Sequence, residues 1–406
     1  MREKKITCLN YEFMIFPVVI ICLFLLAYSW LVYPWMLSLI AWRKSAQPGG
    51  SHVPNAPISV ILAAHNEENI IEQKLRNLSD TAPGVEIFIG LDGCTDRTAD
   101  IVGDFAVKNP NIVVRVFDRQ RGKVAVIKDL VESSSADILV FTDANTMFRQ
   151  ESLNKLVEHF DDPEIGAVCG RLILVGNATT EGIYWRWENR LKFLESLLDS
   201  CLGVNGAIYA IRRELFWRDI PVNTIVDDFV IGMKVREQGG RVIYEHAAVG
   251  EETLPSASDE WKRRIRIGAG DYQALGLCRK CLLPGYGKFA WMFWSHKALR
   301  WFTPHLIVIV VAASIFRAIS TLRRFVEGMP VSTEGMISLI IIACSLLGLL
   351  CAAVGRFVKN RTEPRSAALR FLCLCDHFVA MQTALFIGFL RFCRGNLEGI
   401  WDRTPR

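Results

Sequence analysis

The apolar positions of this chain fall into three regimes. From Phe13 to Trp42 about thirty residues pass without a charge, more than the roughly twenty that a helix needs to cross a bilayer. Trp30, Tyr33, Trp35 and Trp42 give it aromatic ends, and Arg43 and Lys44 follow on what the positive-inside tendency makes the cytoplasmic side. No small-residue cleavage site comes after it, so the stretch predicts an anchor rather than a removed signal. QPGGSHVPNAP (Gln47 to Pro57) is a Pro/Gly linker.

From Ile58 to about Leu283 short apolar runs alternate with amphipathic stretches. ISVILAA (Ile58 to Ala64), VEIFIGLD (Val85 to Asp92), IVVRVFD (Ile112 to Asp118) and DILVFTD (Asp137 to Asp143) read as strands, each followed by a polar turn and a helical segment. Strands alternating with helices predict an α/β domain on a parallel sheet.

The third regime begins at Gly285. Tyr286, Phe289, Trp291, Phe293, Trp294, Trp301 and Phe302 are mixed with Lys288, Lys297 and Arg300, which predicts an amphipathic helix lying in the membrane interface. Pro304 to Ile319, Met336 to Val354 and Phe371 to Leu390 are further membrane candidates, the last carrying Asp376, His377 and Gln382. A central Asp costs about 2.5–3.5 kcal/mol on insertion scales, so this segment is expected to pack on other helices or to span incompletely. The basic loop Arg356 to Arg370 and the basic tail both claim the cytoplasmic side, which a single span between them forbids. The chain is thus divided as 1–44 anchor, 45–57 linker, 58–284 soluble domain, 285–302 interfacial helix, 303–390 membrane region and 391–406 basic tail.

Composition sharpens this picture in two places. The net charge of +5 is modest and the basic residues cluster near the apolar segments, which suits a lipid bilayer surface and gives no stripe for nucleic acid. The 12 cysteines have no framework spacing, and Cys278 and Cys281 form a CxxC without a second pair, so structural zinc is not expected and reduced thiols are.

Chemistry gathers at the ends of the strands, where ligands bind in open α/β sheets. AAHNEENI places Asn66, Glu67 and Glu68 after the first strand, LDGCTD places Asp92 and Asp96 after the second, DRQRGK places Arg121, Gly122 and Lys123 after the third, and FTDAN places Asp143 and Asn145 after the fourth. Each cluster alone could be turn or capping chemistry, Asp143 included. Together they offer acceptors for base and ribose, cations for phosphate and a pair of oxygens for a hard divalent cation.

The order AxNEE, DGxTD, RGK, FTDAN resembles the membrane-bound family-two inverting glycosyltransferases of GT-A fold, on the branch of the hyaluronan, chitin, cellulose and poly-N-acetylglucosamine synthases. The resemblance covers roughly residues 55 to 300 and, more weakly, WDRTPR at the end. It implies a UDP-sugar donor bound by Glu67, Asp92, Arg121, Lys123 and Asp143, with Asp92 on the uracil. Asp143 and Asn145 would hold Mg2+ or Mn2+ at the family's DxD position, where Asn145 replaces the second Asp. Asn205 and Gly206 would sit at the acceptor pocket with Arg212 behind them. VDDF places Asp228 as the general base and Asp227 as its neighbour; two adjacent carboxylates raise each other's pKa, and a helix start is also a plain reading of this segment. WKRRIRIGAG stands where the family has QxxRW, with Arg263 for the Gln, Arg266 for the Arg and Ile267 for the Trp. Arg264 and Arg266 would steady the departing diphosphate, and the stacking Trp is absent.

The implied enzyme is a multi-pass protein of a bacterial inner membrane with its catalytic domain in the cytoplasm, transferring a hexosyl unit to a polysaccharide in exopolysaccharide synthesis. A lipid acceptor, or a partner subunit that binds nucleotide-sugar without turnover, are the alternatives. The sequence specifies neither the sugar nor an oligomeric state.

Overall fold

The computed structural model describes residues 2–44, 56–175, 179–253, 257–359 and 366–395, without the side chains of 2–14, 179–184 and 257–259. Most of the expected linker, the basic residues Arg361 and Arg365, and the Trp401–Arg406 tail lie outside them. The chain divides into two compact units, Met1–Met36 with Trp294–Ile387, and Leu37–Phe293 with Gly388–Arg406.

The N-terminal apolar stretch is helical in two parts, α1 (Arg2–Ala27) and α2 (Tyr33–Ala41), joined by a widened π-helical turn at Tyr28–Val32. The second unit then builds β1 (Ile58–Ala64), α3 (Ile71–Thr81), β2 (Glu86–Asp92), α4 (Thr98–Lys108), β3 (Ile112–Phe117), α5 (Lys123–Ser133) and β4 (Ile138–Thr142). These follow the expected order, because each strand is an apolar run rich in β-branched residues and closed by a polar turn. Next come β5 (Met147–Phe148), α6 (Ser152–Val157), β6 (Ile165–Val175), α7 (Thr179–Leu198), β7 (Ile208–Arg212), α8 (Asp227–Glu237), β8 (Arg241–Thr253) and α9 (Ala257–Leu277).

All eight strands form one sheet in the order β3-β2-β1-β4-β7-β6-β8-β5. The first four are parallel, as expected. The other strands make the sheet mixed: β7 runs antiparallel to β4 and β6, β6 and β8 are parallel, and β5 is antiparallel to β8. The long α7 passage returns the chain to the sheet in the opposite direction, which the first four repeats do not foreshadow. One consequence matters for the site. Because Thr142 pairs with Ile208, the loop that precedes β7 lies at the same sheet edge as the residues that follow β4.

Strand alternation sorts the two faces. Val60, Leu62, Ala64, Ile87, Ile89, Leu91 and Val140 pack with Ile71, Leu75 and Leu78 of α3 in one core. Side chains of this size contribute about 1.5–3 kcal/mol each when fully buried. On the other face Gly90 leaves room for Val126 and Leu130 of α5. Phe141 stacks there on Tyr209 at 4.7 Å between ring centroids, forming a floor beneath the edge described below.

The segment expected as one interfacial helix is broken into α10 (Lys288–Met292), a π-helical stretch at Phe293–Ala298 and α11 (Leu299–Trp301). Phe289, Met292 and Phe293 are fully buried, as is His296, while Trp294 is exposed, so only part of the aromatic stripe is open to a membrane interface. The first unit continues with α12 (Thr303–Val326), α13 (Thr333–Lys359) and α14 (Ala367–Cys393) as far as Ile387. Val19, Cys22 and Val310 are its small apolar core, and Trp30 Nε1 donates to Thr303 Oγ1 at 3.0 Å. Four helices, Ile15–Ala41, Thr303–Val326, Thr333–Lys359 and Ala367–Cys393, are long and apolar enough to cross a membrane.

Candidate active site

Four elements bring carboxylates and one lysine to a single cleft at the sheet edge. Alternation along β4 turns Phe141 and Asp143 to the cleft and Thr142 to the opposite face. The turn after β4 closes through Thr146 N donating to the Asp143 carbonyl at 3.2 Å. Lys123 starts α5 directly after Gly122, whose φ of +91° no side-chain-bearing residue adopts readily. Its ammonium donates to Asp143 Oδ1 at 2.7 Å and lies 3.9 Å from Asp227 Oδ2. Burial pulls the Lys123 pKa down, but Asp143 and Asp227 outweigh it and hold the ammonium well above the ordinary lysine range.

Asp227 and Asp228 open α8, where backbone N–H groups and the helix dipole favour anions. Asp228 Oδ2 accepts from Gly206 N at 2.6 Å, and its Oδ1 from Phe229 N at 2.8 Å. A Cβ at position 206 would sit 3.1 Å from Asp228 Oδ2, so glycine is what permits this approach. Asp227 Oδ2 is buried and accepts no hydrogen bond among the described residues. Burial, with Asp228 and Asp143 nearby, pushes the Asp227 pKa up to about 6 against the pull of Lys123. Tyr209 lies beneath all three carboxylates, and burial first, then their charge, pushes its phenol well up.

The loop before Asp227 is held from α9. Gln273 Oε1 accepts from Ile225 N and its Nε2 donates to the Asn223 carbonyl, both at 3.0 Å.

The second strand end is occupied by its own loop. Asp92 is fully buried, and its two oxygens accept from Arg121 N at 2.7 Å and Gly122 N at 2.9 Å. Asp92 therefore supports the basic turn from within, where the sequence reading had it facing a base. The Arg121 guanidinium lies 4.7 Å over the Phe117 ring and pairs with Asp129. Glu67 starts the α3 turn, its carbonyl accepting from Ile70 N at 3.0 Å and its N–H donating to Thr98 Oγ1 at 2.7 Å.

The family model described as glycosyl transferase family 2 matches residues 59–219. The chain carries a family-two glycosyltransferase domain. A poly-beta-1,6-N-acetyl-D-glucosamine synthase of Staphylococcus aureus (strain MSSA476) is 25% identical over 232 residues, covering 54% of this chain and 55% of that one. The synthase of the same name from Staphylococcus epidermidis is 24% identical over 255 residues, covering 60% and 61%. The chain thus spans little more than half the length of the curated relatives it matches. In fold it is similar to the mannosyltransferase PcManGT from Pyrobaculum calidifontis, solved in complex with GDP-Man and Mn2+. That likeness has a TM-score of 0.68 and 19% identity, over 93% of this chain and 99% of that one. The family-two domain has the GT-A fold, a mixed sheet flanked here by membrane-length helices.

Among the expected site residues, Arg212 needs correction, and Arg264, Arg266, Asn145 and Asn205 are placed as follows. Arg212 is not behind the acceptor loop. It pairs with Ile138 at the far end of β4, and its guanidinium donates to the carbonyls of Ile165, Phe160 and Asp162 at 2.7–3.0 Å. The five-residue length of β7 carries it across the sheet, so its role is to cap the opposite edge. Arg264 is engaged by Glu260 one turn earlier, at 2.8 Å, and Arg266 follows on the same helix, a turn before the Gly270 contact with Ile225 and Val226. Asn145 is half-buried in the turn with Asp143, and Asn205 closes the β7 turn through its carbonyl, accepting from Ile208 N at 3.0 Å.

Lys74 was missed. Its Nζ donates to Thr142 Oγ1 at 2.8 Å and to the Thr146 carbonyl, directly under the Asp143 turn. Burial lowers its pKa to about 7 although Asp143 and Glu252 pull it upward. The signal was present: Lys74 lies on the apolar 71, 74, 75, 78 stripe of α3, where an aliphatic residue is the rule.

Proposed function

We propose that the protein is an inverting glycosyltransferase that moves a sugar from a UDP-linked donor to a polysaccharide acceptor at a membrane, in exopolysaccharide synthesis. The observation that carries this is the meeting of Asp143, Asp227, Asp228 and Lys123 in one cleft of a family-two domain, within 3.9 Å of Lys123 Nζ for the first two.

In this reading Asp228 is the base. Each of its oxygens accepts one backbone N–H and keeps a lone pair, so it can take the proton of an acceptor hydroxyl delivered beside Gly206. The hydroxyl oxygen forms a bond to the anomeric carbon on the face opposite the diphosphate. The bond from that carbon to the diphosphate oxygen breaks, and its electron pair leaves with UDP. Asp143 and Asn145 would hold Mg2+ or Mn2+, and the buried, hydrogen-bond-free Asp227 Oδ2 fits a cation standing close by. When bound, that ion would offset the charge growing on the leaving diphosphate. Lys123 shares this task from the protein side, and Arg264 and Arg266 are proposed to assist it. Glu67, Arg121 and the turn held by Asp92 would receive the nucleoside, and Asn205 and Gly206 the acceptor. Arg43 and Lys44 after the first membrane helix favour a cytoplasmic site at a bacterial inner membrane.

The test is product analysis with the full chain in membranes, a panel of radiolabelled UDP-sugars, and Mn2+ or Mg2+. Label in high-mass, lipid-free polymer is the expected result. Label that extracts into organic solvent as a single sugar would replace the polysaccharide acceptor with a lipid. Nucleotide binding without turnover of any donor would sink the enzyme reading.

A further inference from the structure

A lysine on the buried stripe of a helix needs strong compensation, because an unpaired ammonium there is costly. Lys74 is fully buried, and its compensation is specific. Thr142 and Thr146, the two hydroxyl residues that bracket Asp143 and Asn145, both receive its protons, one through Oγ1 at 2.8 Å and the other through its carbonyl. The Phe148 ring lies under the same ammonium at 4.3 Å.

We propose that Lys74 is a positioning residue that clamps the Asp143–Asn145 turn at both ends, setting its oxygens for a divalent cation and the diphosphate. The inference rests on the glycosyltransferase reading above. The clamp extends further at each end. Thr142 Oγ1 also donates to the Ala207 carbonyl at 3.0 Å, beside the Gly206 N–H that holds Asp228. Thr146 Oγ1 donates to Glu252 Oε1 at 2.7 Å, both groups being buried. One cation thus ties the turn of Asp143 to the loop of Gly206 and to β8. Lys74 contacts neither donor nor acceptor in this arrangement; it acts through the residues that do.

Two substitutions in the full-length protein separate clamping from charge. Thr142→Val keeps the shape and the Lys74 charge but removes the shared hydroxyl. Lys74→Met removes the ammonium and keeps an unbranched chain. Affinity for Mn2+ is read from the spectrum of bound manganese at saturating UDP. UDP affinity without metal and the melting temperature are read separately. Both variants are expected to weaken Mn2+ binding at least about tenfold, the scale seen when groups supporting metal ligands are removed, with metal-free UDP affinity within about twofold of wild type. A cation acting only through its charge would repel the metal, so tighter Mn2+ binding in Lys74→Met overturns the proposal. So does unchanged Mn2+ affinity in Thr142→Val, which decides alone should Lys74→Met not fold. A parallel loss of metal-free UDP affinity marks a general structural defect and overturns it as well. Wild-type protein that binds neither UDP nor Mn2+ instead removes the glycosyltransferase reading, and this inference with it.

Discussion

The two acidic turns of the cleft are held by opposite means. The Asp143 turn is held by cations: Lys123 grips its carboxylate at 2.7 Å and Lys74 its flanks. The Asp227–Asp228 turn is held mainly by neutral groups, the N–H of Gly206 and Phe229 and the amide of Gln273, with the Lys123 ammonium farther off at 3.9 Å from Asp227 Oδ2. Charge and backbone are not equivalent supports. A lysine clamp sets a positive charge against the carboxylate before any ligand arrives, so an entering cation takes over part of a role already filled. A backbone clamp fixes position through hydrogen bonds alone and leaves each carboxylate oxygen a lone pair open to a hydroxyl. The first arrangement suits a group that meets a metal and a diphosphate, the second a group that must take a proton from a hydroxyl.

The comparison breaks most sharply at Asp228. Asp228→Asn keeps the size and one carbonyl acceptor but cannot take a proton. Turnover is expected to fall about 10³-fold, within the span that general-base groups supply, while UDP and Mn2+ affinities stay within about threefold because both bind at the other turn. Steady-state rates and separate binding measurements check this. Loss of nucleotide binding in step with turnover would show that the two turns are not separate devices.

The cationic clamp is tested next. Lys123→Met leaves Asp143 and Asp227 facing each other without the bridging ammonium. The groups are partly solvated, with 20% and 30% of the Lys123 and Asp143 side chains exposed. The metal-free protein is therefore expected to lose about 1–3 kcal/mol, less than for a fully buried pair. Melting in chelator should drop by several degrees, and excess Mn2+ should recover more of it in the variant than in wild type. An unchanged melting temperature in chelator would mean that the lysine clamps nothing.

How far the sequence reached follows the same division. Asp143, Lys123 and Asp228 were legible because each stands at a strand end or helix start with a recognisable neighbour: TDAN, RGK, VDDF. The four parallel strands were legible because their apolar runs and polar turns repeat. Lys74 and Gln273 were not, since each works from the middle of a helix on residues 68 and 48 positions away, and no local pattern encodes such a reach. Arg212 misled for a related reason. It is close to Gly206 along the chain, but an extended strand advances about 3.3 Å per residue and carries it to the opposite edge. The antiparallel β7 likewise depends on how α7 turns the chain back, which is a property of packing rather than of period.

A smaller effect separates the two members of the second turn. Asp227 has its pKa raised to about 6, so in metal-free protein the folded state keeps a proton that the unfolded chain releases from about pH 4 upward. The stability this contributes is complete below about pH 4 and is lost as pH rises through 6. The difference is worth at most about 3 kcal/mol. Asp227→Asn is neutral throughout and should remove this slope, so that in chelator it melts higher than wild type at pH 7 and converges with it near pH 4.5. Identical pH slopes in the two proteins would place the raised pKa elsewhere.

The gentlest test is Gln273→Leu, which keeps the volume and removes both hydrogen bonds to the loop before Asp227. The Ile225 N–H then loses its acceptor, and the Asn223 carbonyl its donor. Each such loss costs about 1–3 kcal/mol when nothing replaces it, but this loop can turn partly to water, so the change should fall at the lower end. Because Gln273 reaches only the approach to α8, the loss should appear as misplacement of Asp228 and not as weaker donor binding. A fall in kcat of about tenfold, equivalent to about 1.4 kcal/mol, is expected with unchanged UDP and Mn2+ affinities. An equal fall in Mn2+ affinity would join the two turns into one mechanical unit. An unchanged kcat would show that the helix start alone fixes Asp228, with α9 contributing only packing.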